Sequence, residues 1–206
     1  MLPTFPISSP PLVDLDNDNR AEILQLTGDR LSIISEQETA WQSPEAWRVT
    51  QAGFTDLNRD DLYEVTLLVW RAFAPWPVDR WLPYGGRIKD FHDPDGLSCH
   101  LILIGWDGGR YRELWAGSAL AEPVLEFSVA DLDSDGRQEL LTLEGRYTDR
   151  PAQPASAFKV WEWNGFGFTV VDSLSGAFLH MQPVQSPSGQ AQIILQTILI
   201  SERSTP

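Results

Sequence analysis

The sequence predicts an all-β protein of about three antiparallel sheets, and three observations support that prediction. Short apolar runs of strand-forming residues alternate along the chain with turn-forming residues. The 206 residues include nine Trp and nine Phe, which suit pleated surfaces. One acidic segment recurs three times without gaps, each time directly before an apolar run. We therefore treat residues 1–206 as a single repeat domain.

The composition narrows the classes of partner and the compartment. A formal charge of −14 disfavours nucleic acid and anionic membrane surfaces as partners. No run of about 20 apolar residues predicts membrane insertion. The single cysteine, Cys99, excludes an intrachain disulfide and is expected to be buried. The N-terminal MLPTFPISSPP lacks the parts of a signal peptide, so we expect a protein that stays inside, or one whose export segment is not in this chain.

The repeated segments read DLDNDNRAEILQL, DLNRDDLYEVTLL and DLDSDGRQELLTL, and they begin at Asp14, Asp56 and Asp131. We call residues 14–22, 56–64 and 131–139 the first, second and third loops. Side-chain oxygens occupy positions one, three, five and nine of every loop. These residues are Asp14, Asp16, Asp18 and Glu22; Asp56, Asn58, Asp60 and Glu64; and Asp131, Asp133, Asp135 and Glu139.

Such a spacing of oxygens suits a hard cation, because Ca²⁺ accepts about six to eight oxygen ligands in a flexible shell. Positions one, three and five can surround one ion, and the acid at position nine would close the shell. The backbone carbonyl at position seven would add a ligand, from Arg20, Leu62 or Arg137. We predict Ca²⁺ in at least one loop, with the third loop the best candidate and the second the poorest.

Position six of each loop requires a residue that tolerates a positive φ. Gly136 fits best there, Asn19 is acceptable, and Asp61 fits least well. An EF-hand is excluded, because position twelve is not acidic and strand-like residues follow each loop. The alternative to metal binding is an acidic turn held by side-chain hydrogen bonds alone.

The pattern D-h-D/N-x-D-x-x-x-E followed by a strand resembles the FG-GAP/VCBS-type repeat, including the calcium-binding blades of integrin α-subunits. That resemblance covers most of the chain and implies four-stranded antiparallel β-propeller blades, with Ca²⁺ ligands at the loop positions given above. It suggests an extracytoplasmic protein. Position nine departs from the pattern, because Glu stands where the family often has Asp.

The strand-like runs agree with blades, but only about three units are present. Hairpins are predicted at Gly28–Asp29, at residues 107–109 and at Asn164–Gly165, and AFLHMQPV and AQIILQTILI read as the last strands. Propellers usually close with about four to eight blades. The chain could be part of a larger propeller, an open array of three sheets, or a protein closed by a second copy. Open sheet edges favour self-association.

The longest segment without a strand pattern is the insertion at residues 74–96. Trp76, Trp81 and Tyr84 make it a candidate glycan or peptide site, with a structural cap as the alternative. His92 next to Asp93 is a poor catalytic pair, and no other enzyme motif is present. The sequence thus predicts a non-enzymatic, calcium-binding structural or interaction module with a protein or glycan partner. The rival is a carbohydrate-binding or carbohydrate-active propeller that uses the inserted loop.

Overall fold

A computed structural model describes residues 12–74, 81, 90–149, 153–186 and 189–198. Within these residues the secondary structure consists of β-strands and contains no α-helix. The strands are β1 (Ile23–Thr27), β2 (Arg30–Ser35), β3 (Glu38–Gln42), β4 (Arg48–Thr55), β5 (Glu64–Ala72), β6 (Leu97–Trp106), β7 (Tyr111–Ala116), β8 (Val124–Ala130), β9 (Glu139–Glu144), β10 (Ala155–Trp163), β11 (Phe168–Gln185) and β12 (Ala191–Thr197). No described helix is long and apolar enough to span a membrane.

The strands form three antiparallel sheets in chain order. The first sheet has the order β1-β2-β3, the second β4-β5-β6-β7, and the third β12-β11-β10-β9-β8. This arrangement confirms the prediction of an all-β fold with three antiparallel, propeller-like blades. The sheets have three, four and five strands, so the blades are unequal in size.

The predicted hairpins form at the predicted turns. Gly28 has a φ of 63° between β1 and β2, while Gly108 and Gly165, each at 89°, turn the β6–β7 and β10–β11 hairpins. Glycine suits these positions because it carries no Cβ to clash in the left-handed region. Local turn chemistry therefore fixes how these strands pair.

One strand boundary differs from the prediction. AFLHMQPV is predicted as a strand separate from the one that follows the Asn164–Gly165 turn, but the two belong to the continuous strand β11. Its first half pairs with β10 and its second half with β12, with a register shift opposite Ala155–Ala157. Ser175-Gly176 between the two runs is a possible turn signal, but Gly176 does not adopt a positive φ. The chain therefore bulges there instead of turning.

The second half of β11 returns over its own sheet. Phe178 and Met181 pack with Leu141 and Leu143 of β9, and all four side chains are buried. His180 Nδ1 lies 2.8 Å from Glu126 Oε1 on β8. The third sheet consequently covers one of its own faces, while its other face packs against the second sheet.

Two apolar cores join neighbouring sheets, and β5 contributes to both. Val65 and Leu67 pack with Ile33 of the first sheet, whereas Leu68 packs with Phe127 and Leu140 of the third. Successive side chains of a strand point to opposite faces, so one strand can serve two cores. Burial of each such side chain contributes roughly 1.5–3 kcal/mol.

Each acidic loop joins two strands through an equivalent closing pair. Thr55 pairs with Glu64 between β4 and β5, and Ala130 pairs with Glu139 between β8 and β9. In the first sheet the same rung is an isolated bridge between Val13 and Glu22. The three loops therefore start from the same backbone frame.

Candidate metal centres

The three loops share an uncommon backbone conformation. Position six has a positive φ in every copy, as predicted, and position four does so as well, which was not predicted. The values are 59° for Asn17, 69° for Asn19, 62° for Arg59, 62° for Asp61, 66° for Ser134 and 85° for Gly136. Two left-handed residues separated by one position turn the backbone N–H groups of the loop inward. Non-glycine residues pay a steric cost in this conformation.

The inward N–H groups donate to the loop carboxylates in a pattern that the first and third loops repeat. In the first loop, the Asp18 N–H donates to Asp14 Oδ1 at 3.2 Å and to Asp16 Oδ1 at 3.1 Å. In the third loop, the Asp135 N–H donates to Asp131 Oδ1 and to Asp133 Oδ1, each at 3.1 Å. These bonds hold the carboxylates in place around a common centre.

The second loop has the same arrangement with an amide at position three. The Asp60 N–H donates to Asp56 Oδ1 and to Asn58 Oδ1, each at 3.2 Å. Asn58 Nδ2 also donates to Asp60 Oδ2 at 3.0 Å. All three loops thus contain the hydrogen bonds that the metal-free alternative requires, so these bonds do not separate a turn from a metal site.

Carboxylate oxygens converge in every loop. One oxygen from each of three residues lies within 4.8 Å of the others in each group, a spacing compatible with a shared cation. The groups are Asp14, Asp16 and Asp18; Asp56, Asp60 and Glu64; and Asp131, Asp133 and Glu139. Glu22 and Asp135 are not in these groups.

The backbone N–H of each position-seven residue is hydrogen-bonded within its own loop. The N–H groups of Arg20 and Arg137 donate to the position-five carboxylate at 2.8 Å, and that of Leu62 does so at 3.0 Å. These bonds orient the position-five oxygens. Ligation of an ion by the position-seven carbonyl stays a prediction.

The glutamate at position nine lies beneath its loop in all three copies. Glu22, Glu64 and Glu139 are buried, and each accepts a hydrogen bond from the leucine N–H of position two. The N···O distances are 2.6 Å from Leu15, 2.8 Å from Leu57 and 2.8 Å from Leu132. Burying a carboxylate is costly unless its charge is offset.

The remaining contacts of these glutamates differ. Glu22 Oε1 accepts the Ser35 hydroxyl at 3.0 Å, and Glu139 Oε1 lies 3.2 Å from Arg59 Nη2. Glu64 Oε1 accepts the Thr55 hydroxyl at 2.8 Å in addition to the Leu57 N–H. Among the described residues, Glu64 Oε2 is buried without a hydrogen-bond partner.

Burial is the main cause of a raised pKa in each of these carboxyls. It raises the pKa of Glu22 and of Glu139, and it raises that of Glu64 from 4.5 to about 7. Neighbouring aspartates add to the effect, for example Asp56 and Asp60 beside Glu64. A positive charge in the loop would oppose this effect, and a divalent cation would do so most strongly.

The inserted loop is described only in part. Trp81 is 81% exposed, whereas Trp76 and Tyr84 lie outside the described residues. His92 does not pair with the Asp93 carboxylate: His92 Nδ1 lies 2.7 Å from the Asp93 backbone oxygen. Asp93 Oδ1 instead accepts the N–H groups of Asp95 and Leu97, so it caps a turn.

Two polar contacts between sheets were not predicted. Arg59 was treated only as a variable loop position, although it reaches Glu139 of the next loop. Gln51 Nε2 donates to the Phe127 oxygen at 2.7 Å, and the Phe127 N–H donates back to Gln51 Oε1 at 2.9 Å. Gln51 lies between Thr50 and Ala52 in the mixed sequence RVTQAGFT, which carries no signal that would single it out.

Comparisons with known proteins identify no family for this chain and find only distantly similar structures. No protein-family model matches the chain, and no curated protein sequence matches it. An exo-beta-1,3-galactanase from Phanerochaete chrysosporium, solved with beta-1,3-galactotriose, is 12% identical with a TM-score of 0.45. The match covers 94% of this chain but 48% of the galactanase, so this chain spans about half of that protein's length.

A second similar structure is BBS1N in complex with ARL6DN. It is 12% identical with a TM-score of 0.28, and the match covers 92% of this chain and 77% of that one. Likenesses of this size carry no conclusion about the activity of the present chain.

Proposed function

We propose that the chain is a calcium-binding module of the FG-GAP/VCBS type, with a structural or interaction role and no catalytic activity. The observation that supports this function is the threefold repetition of one loop geometry. Each loop closes on the equivalent rung, has left-handed residues at positions four and six, and gathers three carboxylates within 4.8 Å. A single acidic turn is common in proteins, whereas three loops with the same geometry support binding of the same ligand in each.

The donor set suits a hard divalent ion. Carboxylate and amide oxygens are the ligands that Ca²⁺ prefers, and their number allows a flexible shell. The side-chain oxygens at positions one, three and five and the position-nine glutamate would hold the ion, and its charge would offset the repulsion between the carboxylates. Backbone hydrogen bonds leave each carboxylate oxygen with a further lone pair for coordination.

The consequence for the protein is linkage between ion binding and folding. At about 2 mM free Ca²⁺ and sites of ~0.1–1 mM, each ion would stabilise the fold by roughly 0.6–1.8 kcal/mol. Several sites would together supply a sizeable part of the ~5–15 kcal/mol that holds an ordinary domain folded. Sites this weak would fill only where free Ca²⁺ is millimolar, which favours an extracytoplasmic compartment.

Calorimetric titration of the purified chain with CaCl₂ tests the proposal. We expect saturable heat and a higher melting temperature in Ca²⁺ than in chelator. Asp16→Ala and Asp133→Ala should each reduce the number of ions bound. Asp172→Ala is the matched control, because Asp172 is an exposed aspartate on β11 outside the loops. Absence of heat, together with equal melting temperatures in Ca²⁺ and chelator, would overturn the proposed function.

Glycan binding by the inserted loop is the second candidate, and the exposure of Trp81 favours it. A tryptophan that is 81% exposed has a free face for a sugar ring. We expect binding on a glycan array that Trp81→Ala abolishes. Phe166→Ala is the control, because Phe166 is an aromatic residue that is 88% exposed on another hairpin. Silence across a broad array would remove this candidate.

A further inference from the structure

Two junctions between neighbouring loops are built alike but differ in charge. At the junction of the second and third loops, Arg59 occupies position four of the second loop. Its Nη2 lies 3.2 Å from Oε1 of Glu139, the position-nine acid of the third loop. The side chain of Arg59 is 15% exposed and that of Glu139 is 4% exposed. A largely buried guanidinium therefore offsets the charge of Glu139.

At the junction of the first and second loops, the equivalent position-four residue is Asn17. Asn17 lines a cavity of about 270 Å³ together with Glu64, the position-nine acid of the second loop. Asp60 of the second loop and Leu15 of the first also line this cavity. No cationic side chain is among the cavity-lining residues that the structure describes.

Glu64 differs from its two counterparts in a way that matches this difference. It is 1% exposed, and its Oε2 has no hydrogen-bond partner among the described residues. An oxygen of Glu64 also lies within 4.8 Å of oxygens from Asp56 and Asp60. A positive charge would stabilise a buried carboxylate that has an unused oxygen beside two more carboxylates, and the described residues that line the cavity supply none.

We propose that the residue at position four decides how the next loop is neutralised: Arg59 serves as the resident cation of the third loop, whereas Asn17 leaves Glu64 of the second loop to a divalent cation. This inference rests on the proposed function and deepens it. It also reverses the order expected from sequence, since the second loop, with its Asn58 and Asp61, becomes the one most dependent on Ca²⁺.

The physical reason is competition for the same oxygen. Arg59 occupies Glu139 Oε1 while the Leu132 N–H occupies Oε2, so an ion entering the third loop must share or displace the guanidinium. The positive charge of the Arg59 guanidinium, 3.2 Å from Glu139, also repels a second cation in this partly buried site. In the second loop neither obstacle is present among the residues that the structure describes.

Exchange of the two position-four residues tests the inference. Asn17→Arg should place a guanidinium in the cavity beside Glu64 and weaken Ca²⁺ binding at one site by about tenfold or more. Arg59→Asn should strengthen Ca²⁺ binding at the third loop and enlarge the difference in melting temperature between Ca²⁺ and chelator. Both are measured by calorimetric titration with CaCl₂ and by thermal unfolding.

Matched variants separate charge from backbone strain. Asn17→Gln lengthens the side chain without a charge and should keep the wild-type affinity, and Arg59→Lys keeps the cation and should keep the wild-type Ca²⁺ response.

If Arg59→Asn unfolds in chelator, recovery in millimolar Ca²⁺ supports the inference and failure to recover overturns it. If the wild type binds Ca²⁺ but Asn17→Arg and Arg59→Asn leave affinities unchanged, the inference is wrong and the proposed function stands. If the wild type binds no Ca²⁺, the proposed function itself fails.

Discussion

Arg59 and Glu139 are 80 residues apart in sequence, yet Arg59 Nη2 and Glu139 Oε1 lie 3.2 Å apart in the structure. Nearby, the Asp56 N–H donates to Gln138 Oε1 at 2.9 Å, so a second polar contact joins the same two loops. The second and third loops thus contact each other directly. A change of charge in one loop is therefore expected to affect its neighbour.

Gln51 should be important for stability, because it joins two sheets through the backbone of Phe127. Phe127 lies on the edge strand β8. The Gln51 amide makes the two backbone hydrogen bonds with Phe127 that a neighbouring strand would otherwise make. We expect Gln51→Leu to lower the free energy of unfolding by about 2–4 kcal/mol, since both groups of Phe127 lose their partners. Urea unfolding measures this.

Gln42→Leu is the control for this prediction. Gln42 also makes two side-chain hydrogen bonds, to Arg30 and Ser32, but it is exposed on β3. Its loss should cost less than about 1 kcal/mol, because water replaces the partners. Equal losses in the two variants would show that Gln51 has no special role between the sheets.

Glycine should be the more stable residue at position six of the loops, both where it is introduced and where it is removed. Asp61 has a φ of 62°, so Asp61→Gly should stabilise the protein by about 0.5–1 kcal/mol. Gly136 has a φ of 85°, and a Cβ added there would meet nothing within 4 Å. Gly136→Ala should therefore cost about 1 kcal/mol from backbone strain alone. Thermal unfolding in chelator measures both, and a stabilising Gly136→Ala would contradict the loop conformation.

His100 should make the protein less stable in mild acid. Burial, opposed in part by the Gly117 carbonyl, lowers the pKa of His100 from 6.5 to about 4. His100 Nδ1 lies 3.0 Å from that carbonyl, so it donates, and Nε2 accepts the Ser98 hydroxyl at 2.7 Å. The folded state therefore favours the neutral ring, and the unfolded state takes up the proton first.

The stability that depends on neutral His100 is present above about pH 6.5 and is lost as the pH falls towards 4. Over that window the loss should approach about 3 kcal/mol. The measurement is the difference in unfolding free energy between the wild type and His100→Gln across the pH range, which cancels the carboxyl groups common to both. A difference that does not change with pH would refute the prediction.

Cys99 should report on global unfolding. It is fully buried, and burial raises the pKa of its thiol to about 12, so both access and ionisation are suppressed. We expect labelling by a thiol reagent at pH 8 to be at least ~10³-fold slower in the native protein than in denaturant. Rapid stoichiometric labelling of the native chain would place Cys99 in a locally open region instead.

Much of the fold could be predicted because its signals are local. Turn residues such as Gly108 and Gly165 marked hairpins, and the periodic acids marked three equivalent loops. The contacts between sheets could not be predicted, because Arg59–Glu139 and Gln51–Phe127 depend on how whole sheets pack. The left-handed conformation of Arg59 was also hidden, since arginine carries no preference for it. Burial of the position-nine glutamates had no sequence signal either, because acidic residues are usually exposed.

The continuity of β11 has a mechanical consequence. Because one strand pairs with β10 along its first half and with β12 along its second, tension applied at β12 would pass along an unbroken backbone into the β10 ladder. Removal of β11 as a whole would require breaking its pairs with both β10 and β12, so the middle of this strand ties the last hairpin to the rest of the third sheet.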